Sequence, residues 1–480
     1  MNVCQAIIKG IAADRGLYVP DHFPQLSGGW DRLSQMTYKE LAQEVLAPYL
    51  PEFTAEELKA CIDGAYDGKY SAEEIVPVVK AGGAWFLELY HGPTAAFKDM
   101  ALQLMPRLLT TSIKKEQEEK TVVILVSTSG DTGTAALKGF ENVPGTQIVV
   151  FFPDGAVSPV QEAQMRTADG ANAHVFSILG NFDDAQTTQK QILSDAELLK
   201  EMEAKGFTFS AANSMNIGRL LPQIVYYVWG YAQLVAKGEI QAGDPVNICV
   251  PSGNFGNILS AYYAMRMGLP VKRFICASNK NKVLTDFMNT GTYDVNREFY
   301  VTNSPSMDIL VSSNLERYLL LAGGSFELVD ELMRELRDKG IYRAPERITE
   351  EMHKHFDAGW ADDLTVKQTI AEVWREHKYL LDPHTAVAWK VTGDIKSQTG
   401  DNTKTVVLST ATPYKFGFDV LDAISAQRPA TGFEAMDVLS DLTGVPIPAN
   451  LAELKELQPR FTDCVDKTQM LAYVKEVLKG

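Results

Sequence analysis

The sequence predicts an α/β protein built on largely parallel sheets, and three observations carry that prediction. From Trp85 onward, short apolar runs alternate with amphipathic helical stretches. The runs at 122–126, 147–152, 174–179, 246–250, 273–277 and 406–409 are mostly apolar without alternation, as strands covered on both faces should be. Several of them lead directly into turns rich in glycine and hydroxyl groups. A chain of 480 residues also exceeds what one simple core organises and suits two or three packed domains.

The first 80 or so residues read differently. Stretches 36–49 and 55–66 have helical periodicity, with Thr54 capping the second and Pro51 closing the first. The charged run KKEQEEK at 114–120 reads as a solvated helix end, and 397–404 as a polar turn before the last strand. After Gly432 the pattern returns to helix around a Gly-Val-Pro-Ile-Pro loop at 444–448.

Charge and composition narrow the function. A formal charge of −16 repels nucleic acid and anionic membrane surfaces, so neither is an expected partner. An anionic substrate must then be held by local donors against the field of the whole chain. The five cysteines are scattered without a C-x-x-C pair, which fits a reducing cytoplasm. His353 and His355, two apart on a helical stretch, point in different directions, so no metal site is expected. Cys, Gln and Lys interrupt the apolar stretch at 1–10, so a secretory leader is not expected there. The most apolar helix, 224–236, falls short of a membrane span.

Four segments carry chemistry. STSGDTG at 127–133 joins a strand to a helix; its free N–H groups suit a carboxylate or phosphate, or else it is a plain Ser/Asp cap. PSGNFGN at 251–257 has two glycines three apart, which lets backbone wrap a tetrahedral anion. It matches neither the dinucleotide nor the nucleotide-triphosphate glycine spacing, and the bland alternative is a strand-to-helix turn. LSTATP at 408–413 ends a buried strand in hydroxyls, one of which can bond a ring nitrogen or simply close a turn. In HGPTAAFKDM at 91–100, Lys98 precedes an apolar helical pattern, where it either snorkels or has an amine of lowered pKa.

In order along the chain, DRGLYVP (14–20), HGPTAAFKDMALQ (91–103), STSGDTG, NSMNIGR (213–219), PSGNFGN, ASNKNKVLTDFMNTG (277–291), SPSMDILVSSNLER (304–317) and LLDPHTAVA (380–388) resemble the motifs of threonine synthase. That is a fold-type-II family of pyridoxal-5'-phosphate enzymes related to the tryptophan synthase β subunit. The resemblance implies two open, mostly parallel twisted sheets flanked by helices, with a helical N-terminal extension and a helical C-terminal tail. The expected division is 1–84 mostly helical, 85–121 with 213–430 as the larger cofactor-binding domain, 122–212 as a smaller mobile domain, and 431–480 as the helical tail.

It further implies that Lys98 is the Schiff-base lysine, that Gly253, Asn254, Phe255, Gly256 and Asn257 hold the cofactor phosphate, and that Thr410 bonds the pyridine nitrogen. Thr128, Ser129, Gly130, Asp131 and Thr132 would take the substrate α-carboxylate; Asn213, Ser214 and Arg219 its phosphate. The implied reaction is a lyase-class conversion of O-phospho-L-homoserine and water to L-threonine and phosphate, in which the released Lys98 amine moves the Cα proton. The alternatives are a phospholyase giving 2-oxobutyrate and phosphate, or a non-catalytic metabolite-binding relative, in either case a monomer or homodimer. Three positions depart from the family pattern. Thr412 and Tyr414 stand where His and Ala are usual, and Asp131 where many relatives have Asn. A carboxylate beside the cofactor's phenolic oxygen must share a proton or point away.

Overall fold

Alternating apolar strands and helices resolve into two separate parallel-rich sheets. The computed structural model describes residues 1–12, 14–180 and 182–478. Its strands are β1 (Val78–Ala81), β2 (Ala84–Glu88), β3 (Thr121–Ser127), β4 (Thr146–Pro153), β5 (Ala173–Leu179), β6 (Phe207–Ser210), β7 (Val246–Pro251), β8 (Val271–Ser278), β9 (Thr292–Asp294), β10 (Ile341–Arg343), β11 (Phe356–Trp360), β12 (Thr405–Ser409) and β13 (Cys464–Asp466). The larger sheet runs β1-β2-β12-β7-β8-β11 and the smaller β13-β5-β4-β3-β6. All their pairings are parallel except β1 with β2. β9 and β10 form a separate antiparallel ribbon.

The six strands expected from the sequence are all present, each one to three residues longer than its apolar run. Every residue of β7 and all but the first of β3 are buried, because helices cover both faces. The helix Ile217–Ala236 is apolar all round and almost wholly buried, lying between the N-terminal helices and the helix Gly256–Arg266. Trp229 anchors it, donating from Nε1 to Val76 O at 2.7 Å. Among the described residues no helix is long and apolar enough to cross a membrane.

Three expectations need correction. The first long N-terminal helix spans Tyr38–Leu46 and then tightens into a 3-10 turn at Ala47–Tyr49. Pro48, not Pro51, ends it, because the proline ring lacks the N–H the α-ladder needs next. The second helix, Ala55–Tyr66, is capped by Thr54 as expected, with Glu57 closing the box. The boundary at residue 84 falls within a hairpin: β1 and β2 meet across Gly82 and Gly83, both at positive φ, so the N-terminal extension adds a strand to the larger sheet. The C-terminal tail is not purely helical either. Between the helices Gly432–Thr443 and Met470–Val477, β13 pairs with β5 and covers that edge of the smaller sheet.

Candidate active site

In parallel sheets the loops at the carboxyl ends of the strands converge, and here those after β2, β3, β7 and β12 do so. The lysine loop after β2 is pinned to the end of β12: Phe97 N donates to Thr410 O at 2.8 Å and Thr412 N to Ala95 O at 3.2 Å. Asp99 closes the turn by accepting from Thr94 N (2.8 Å) and Thr94 Oγ1 (2.7 Å). Burial pushes the Asp99 carboxyl up to about 6, with the Thr94 bonds opposing. Lys98 is itself buried, donating from Nζ to Ser306 Oγ at 3.3 Å, with Asp131 Oδ2 at 3.8 Å. Burial pushes its amine down to about 8; Asp131 opposes that shift, and the charges of Arg219 and Lys415 add to it.

The loop after β7 is a cradle of backbone donors. None of the N–H groups of Gly253, Asn254, Phe255, Gly256 and Asn257 donates to another described residue. The loop carbonyls, by contrast, are tied back: Gly253 O accepts from Ser312 Oγ at 2.7 Å, and Asn254 O from Asn314 N and Nδ2, both at 3.1 Å. Phe255 at φ +62° turns the chain, and the dipole of the eleven-residue helix Gly256–Arg266 starts there. A Cβ on Gly253 would stand 3.1 Å from Ser306 O and 3.2 Å from Met307 Cα. This loop therefore packs against the segment whose hydroxyl meets Lys98. An aldehyde bound by Lys98 and a phosphate seated on these N–H groups fit one small cofactor. The Asn257 side chain is spoken for, accepting from Ser252 Oγ at 2.7 Å and Ile258 N at 2.9 Å, so only its backbone is available.

After β3 the arrangement differs. The Thr128 hydroxyl accepts from Gly130 N (3.0 Å) and Gly133 N (2.9 Å), while the N–H groups of Asp131 and Thr132 donate to no other described residue. The side chains of Ser129 and Thr132 also make no hydrogen bond with described residues. Asp131 is buried and accepts at Oδ1 from Lys415 Nζ (2.7 Å) and Gln161 Nε2 (2.8 Å), and at Oδ2 from Ser306 Oγ (3.2 Å). Burial acts to raise its carboxyl, but the charges of Lys415 and Lys98 and the bonds from Lys415 and Gln161 prevail and hold it well below the usual carboxylate range. Asp131 is thus an ionised group turned toward Lys415, not one sharing a proton.

Asn213 and Ser214 follow β6, and Arg219 lies in the first turn of Ile217–Ala236. Arg219 is buried, donates to Ala212 O at 2.8 Å, and has no carboxylate partner among the described residues. Burial pushes its guanidinium down to about 10. Asn213 Oδ1 is buried without a hydrogen-bond partner among the described residues. Ser214 reaches the cradle: its Cβ is 3.5 Å from where a Cβ on Gly256 would lie. The Thr410 N–H donates to Thr385 Oγ1 at 3.3 Å. Of the divergent positions, Thr412 is used by its backbone toward Ala95, and Tyr414 points its hydroxyl away to Val445 O.

Several residues at this site were not singled out from sequence. Ser306 joins Lys98 to Asp131; its N–H donates to His384 Nε2 at 3.2 Å, and His384 Nδ1 meets Asp382 Oδ1 at 2.8 Å. That geometry assigns the neutral Nδ1–H form of His384. Asp382 also accepts from Thr385, so one carboxylate steadies the Ser306 and Thr410 ends of the site. Ser306 and His384 fall inside the quoted motifs. Lys415 offered only a faint signal, a cation in the otherwise apolar turn Pro413–Phe416, with Asp419 four residues on as a local partner to expect instead of Asp131.

The fold and the convergence of these loops are those of the pyridoxal-phosphate-dependent enzyme family, and comparison with known proteins agrees. The family model for pyridoxal-phosphate-dependent enzymes matches residues 73–411, flanked by matches to the threonine synthase N terminus at 1–66 and the threonine synthase C-terminal region at 385–477. Threonine synthase of Pseudomonas aeruginosa is 37% identical, covering 96% of this chain and 92% of that protein. The structure of PLP-bound threonine synthase from Brucella melitensis superposes with a TM-score of 0.87 at 34% identity, over 100% of this chain and 96% of that one. The chain belongs to the threonine synthase family. Human threonine synthase-like 1 is 41% identical over 88% of this chain, but the chain spans only 58% of that protein's length.

Proposed function

We propose that the chain converts O-phospho-L-homoserine and water to L-threonine and phosphate, acting as a carbon–oxygen lyase. One observation carries the reading: the buried Lys98 amine and the run of free N–H groups at 253–257 share the Ser306 segment, with an uncompensated buried Arg219 alongside. Bound pyridoxal phosphate supplies the electron sink that acidifies the substrate Cα–H. Lys98 carries the cofactor at rest and, once released, moves protons at Cα and Cγ, a task suited to an amine that burial holds near about 8. Thr410, at the end of β12, would offer the pyridine nitrogen a neutral hydroxyl, which would not hold that nitrogen protonated.

The free N–H groups of Asp131 and Thr132, with Thr128 and Ser129, receive the α-carboxylate at a helix N-terminus. Asn213, Ser214 and Arg219 hold the substrate phosphate; the phosphate completes the pairing that Arg219 lacks and so overcomes the chain's net charge of −16 locally. The test is product analysis with purified protein, pyridoxal phosphate and O-phosphohomoserine. Threonine and phosphate in equal amounts are expected, and phosphate accompanied by 2-oxobutyrate would overturn the assignment.

A further inference from the structure

Three charges meet around Lys98, and their distances are unequal. Asp131 stands 2.7 Å from Lys415 through Oδ1 but 3.8 Å from Lys98 through Oδ2. Gln161 donates to the Lys415-facing oxygen at 2.8 Å, and the Ser306 hydroxyl stands between the other oxygen and Lys98, donating to Asp131 at 3.2 Å and accepting from Lys98 at 3.3 Å. Lys415 is 1% exposed and is fixed from the opposite side by Thr94 O at 2.9 Å, so it cannot swing away from Asp131 at little cost.

We propose that Lys415 is a positioning residue that keeps Lys98 available as a free amine, by holding Asp131 as its own partner so that the carboxylate does not close onto Lys98. This rests on reading Lys98 as the cofactor-bearing lysine and goes beyond it. The physical argument concerns what is left behind when Lys98 gives up its proton. With Lys415 in place, the remainder is a compact Asp131–Lys415 pair that two further donors satisfy. Without Lys415, deprotonating Lys98 strands a buried carboxylate, so the amine keeps its proton and loses its nucleophilicity. The charged groups acting on Lys98 are Asp131, Arg219 and Lys415, while Asp131 and Asp99 both feel Lys415. Arg219 pushes in the same direction as Lys415 but forms no ion pair or hydrogen bond with Asp131 among the described residues, so it cannot hold the carboxylate in Lys415's place.

The measurement is the pH dependence of cofactor attachment to apoprotein, followed by absorbance, with borohydride reduction and peptide mapping to locate the attached lysine. In K415M the pH of half-maximal attachment rate should rise by about one unit or more, roughly a tenfold loss of free amine at neutral pH. K415Q, whose amide still offers a donor toward Thr94 O, should rise less. D131N should shift the midpoint the other way, and K415M/D131N should return to the wild-type value or below. An unshifted midpoint in K415M or K415Q, or a double variant that stays raised, overturns the inference. Near-UV circular dichroism checks that each variant is folded. Should the cofactor map to a lysine other than Lys98, the underlying reading fails instead, and the two failures are told apart.

Discussion

The loops after β3 and β7 look alike in sequence and work differently in the fold. Both end a parallel strand, both carry glycines and both start a helix. The loop at 253–257 contains no charged residue; its carbonyls are tied down within the larger-sheet half of the molecule and its N–H groups are left free. The loop at 127–133 spends two N–H groups on Thr128 and carries a buried carboxylate that depends on Lys415, a residue delivered from the end of β12. The first presents its free N–H groups from a single sheet, as the proposed anion cradle requires. The second is completed only when both sheets contribute, so its geometry reports on how they are held together. Substitutions can break or sharpen that contrast.

The largest effect belongs to the residue on which both loops converge. Lys98→Ala should abolish the cofactor's visible absorbance and lower turnover by more than about a thousandfold; normal turnover in that variant would dismiss the role assigned to Lys98. Next is Asp131→Asn. It leaves Lys415 buried without a counter-charge, so urea unfolding should show a loss of about 3 kcal/mol. The matching change in the other loop, Asn254→Ala, removes only a 3.3 Å acceptor for Ser313 and should cost less than about 1 kcal/mol. Equal losses would erase the distinction drawn here. Arg219→Ala touches neither loop directly. It should raise KM for phosphohomoserine about thirtyfold, corresponding to about 2 kcal/mol for a charge-assisted pair, while cofactor absorbance stays unchanged.

How much of this was legible beforehand follows from what each element buries. Strands covered on both faces, such as VVILV within β3, announce themselves as unbroken apolar runs. The short edge strands do not: β13 is Cys-Val-Asp with only Val465 buried, and β11 carries Gly359, whose position leaves no room for a Cβ beside Val391. They become strands because a neighbour offers a ladder, which local composition does not record. The site divides in the same way. Lys98 and the two loops were readable because glycine, hydroxyl and strand-end signals are local. The Asp131–Lys415 pair, the Ser306 bridge and the His384 support were not, since each is a contact between segments far apart in the chain, and a buried ion pair has no signature until both ends are seen.

The smallest effect offers the finest discrimination between the loops, because glycine is required in each for a different reason. At Gly130 the requirement is first conformational: φ is +132°, and the atoms a Cβ would meet first are the end of the Gln161 side chain, not backbone. At Gly253 the nearest neighbours are the backbone atoms Ser306 O and Met307 Cα, at 3.1 and 3.2 Å, which give way only if the Ser306 segment moves. Gly253→Ala should therefore displace the segment that links the cradle to Lys98 and weaken cofactor binding about tenfold, or about 1.4 kcal/mol, with thermal stability little changed. Gly130→Ala should lower the melting temperature through backbone strain, yet keep cofactor affinity within about twofold. Titrating apoprotein of each variant with pyridoxal phosphate, alongside thermal melts, separates the two. If Gly130→Ala loses cofactor affinity as readily as Gly253→Ala, the cradle is not complete on the larger sheet alone, and the smaller sheet must help to form it.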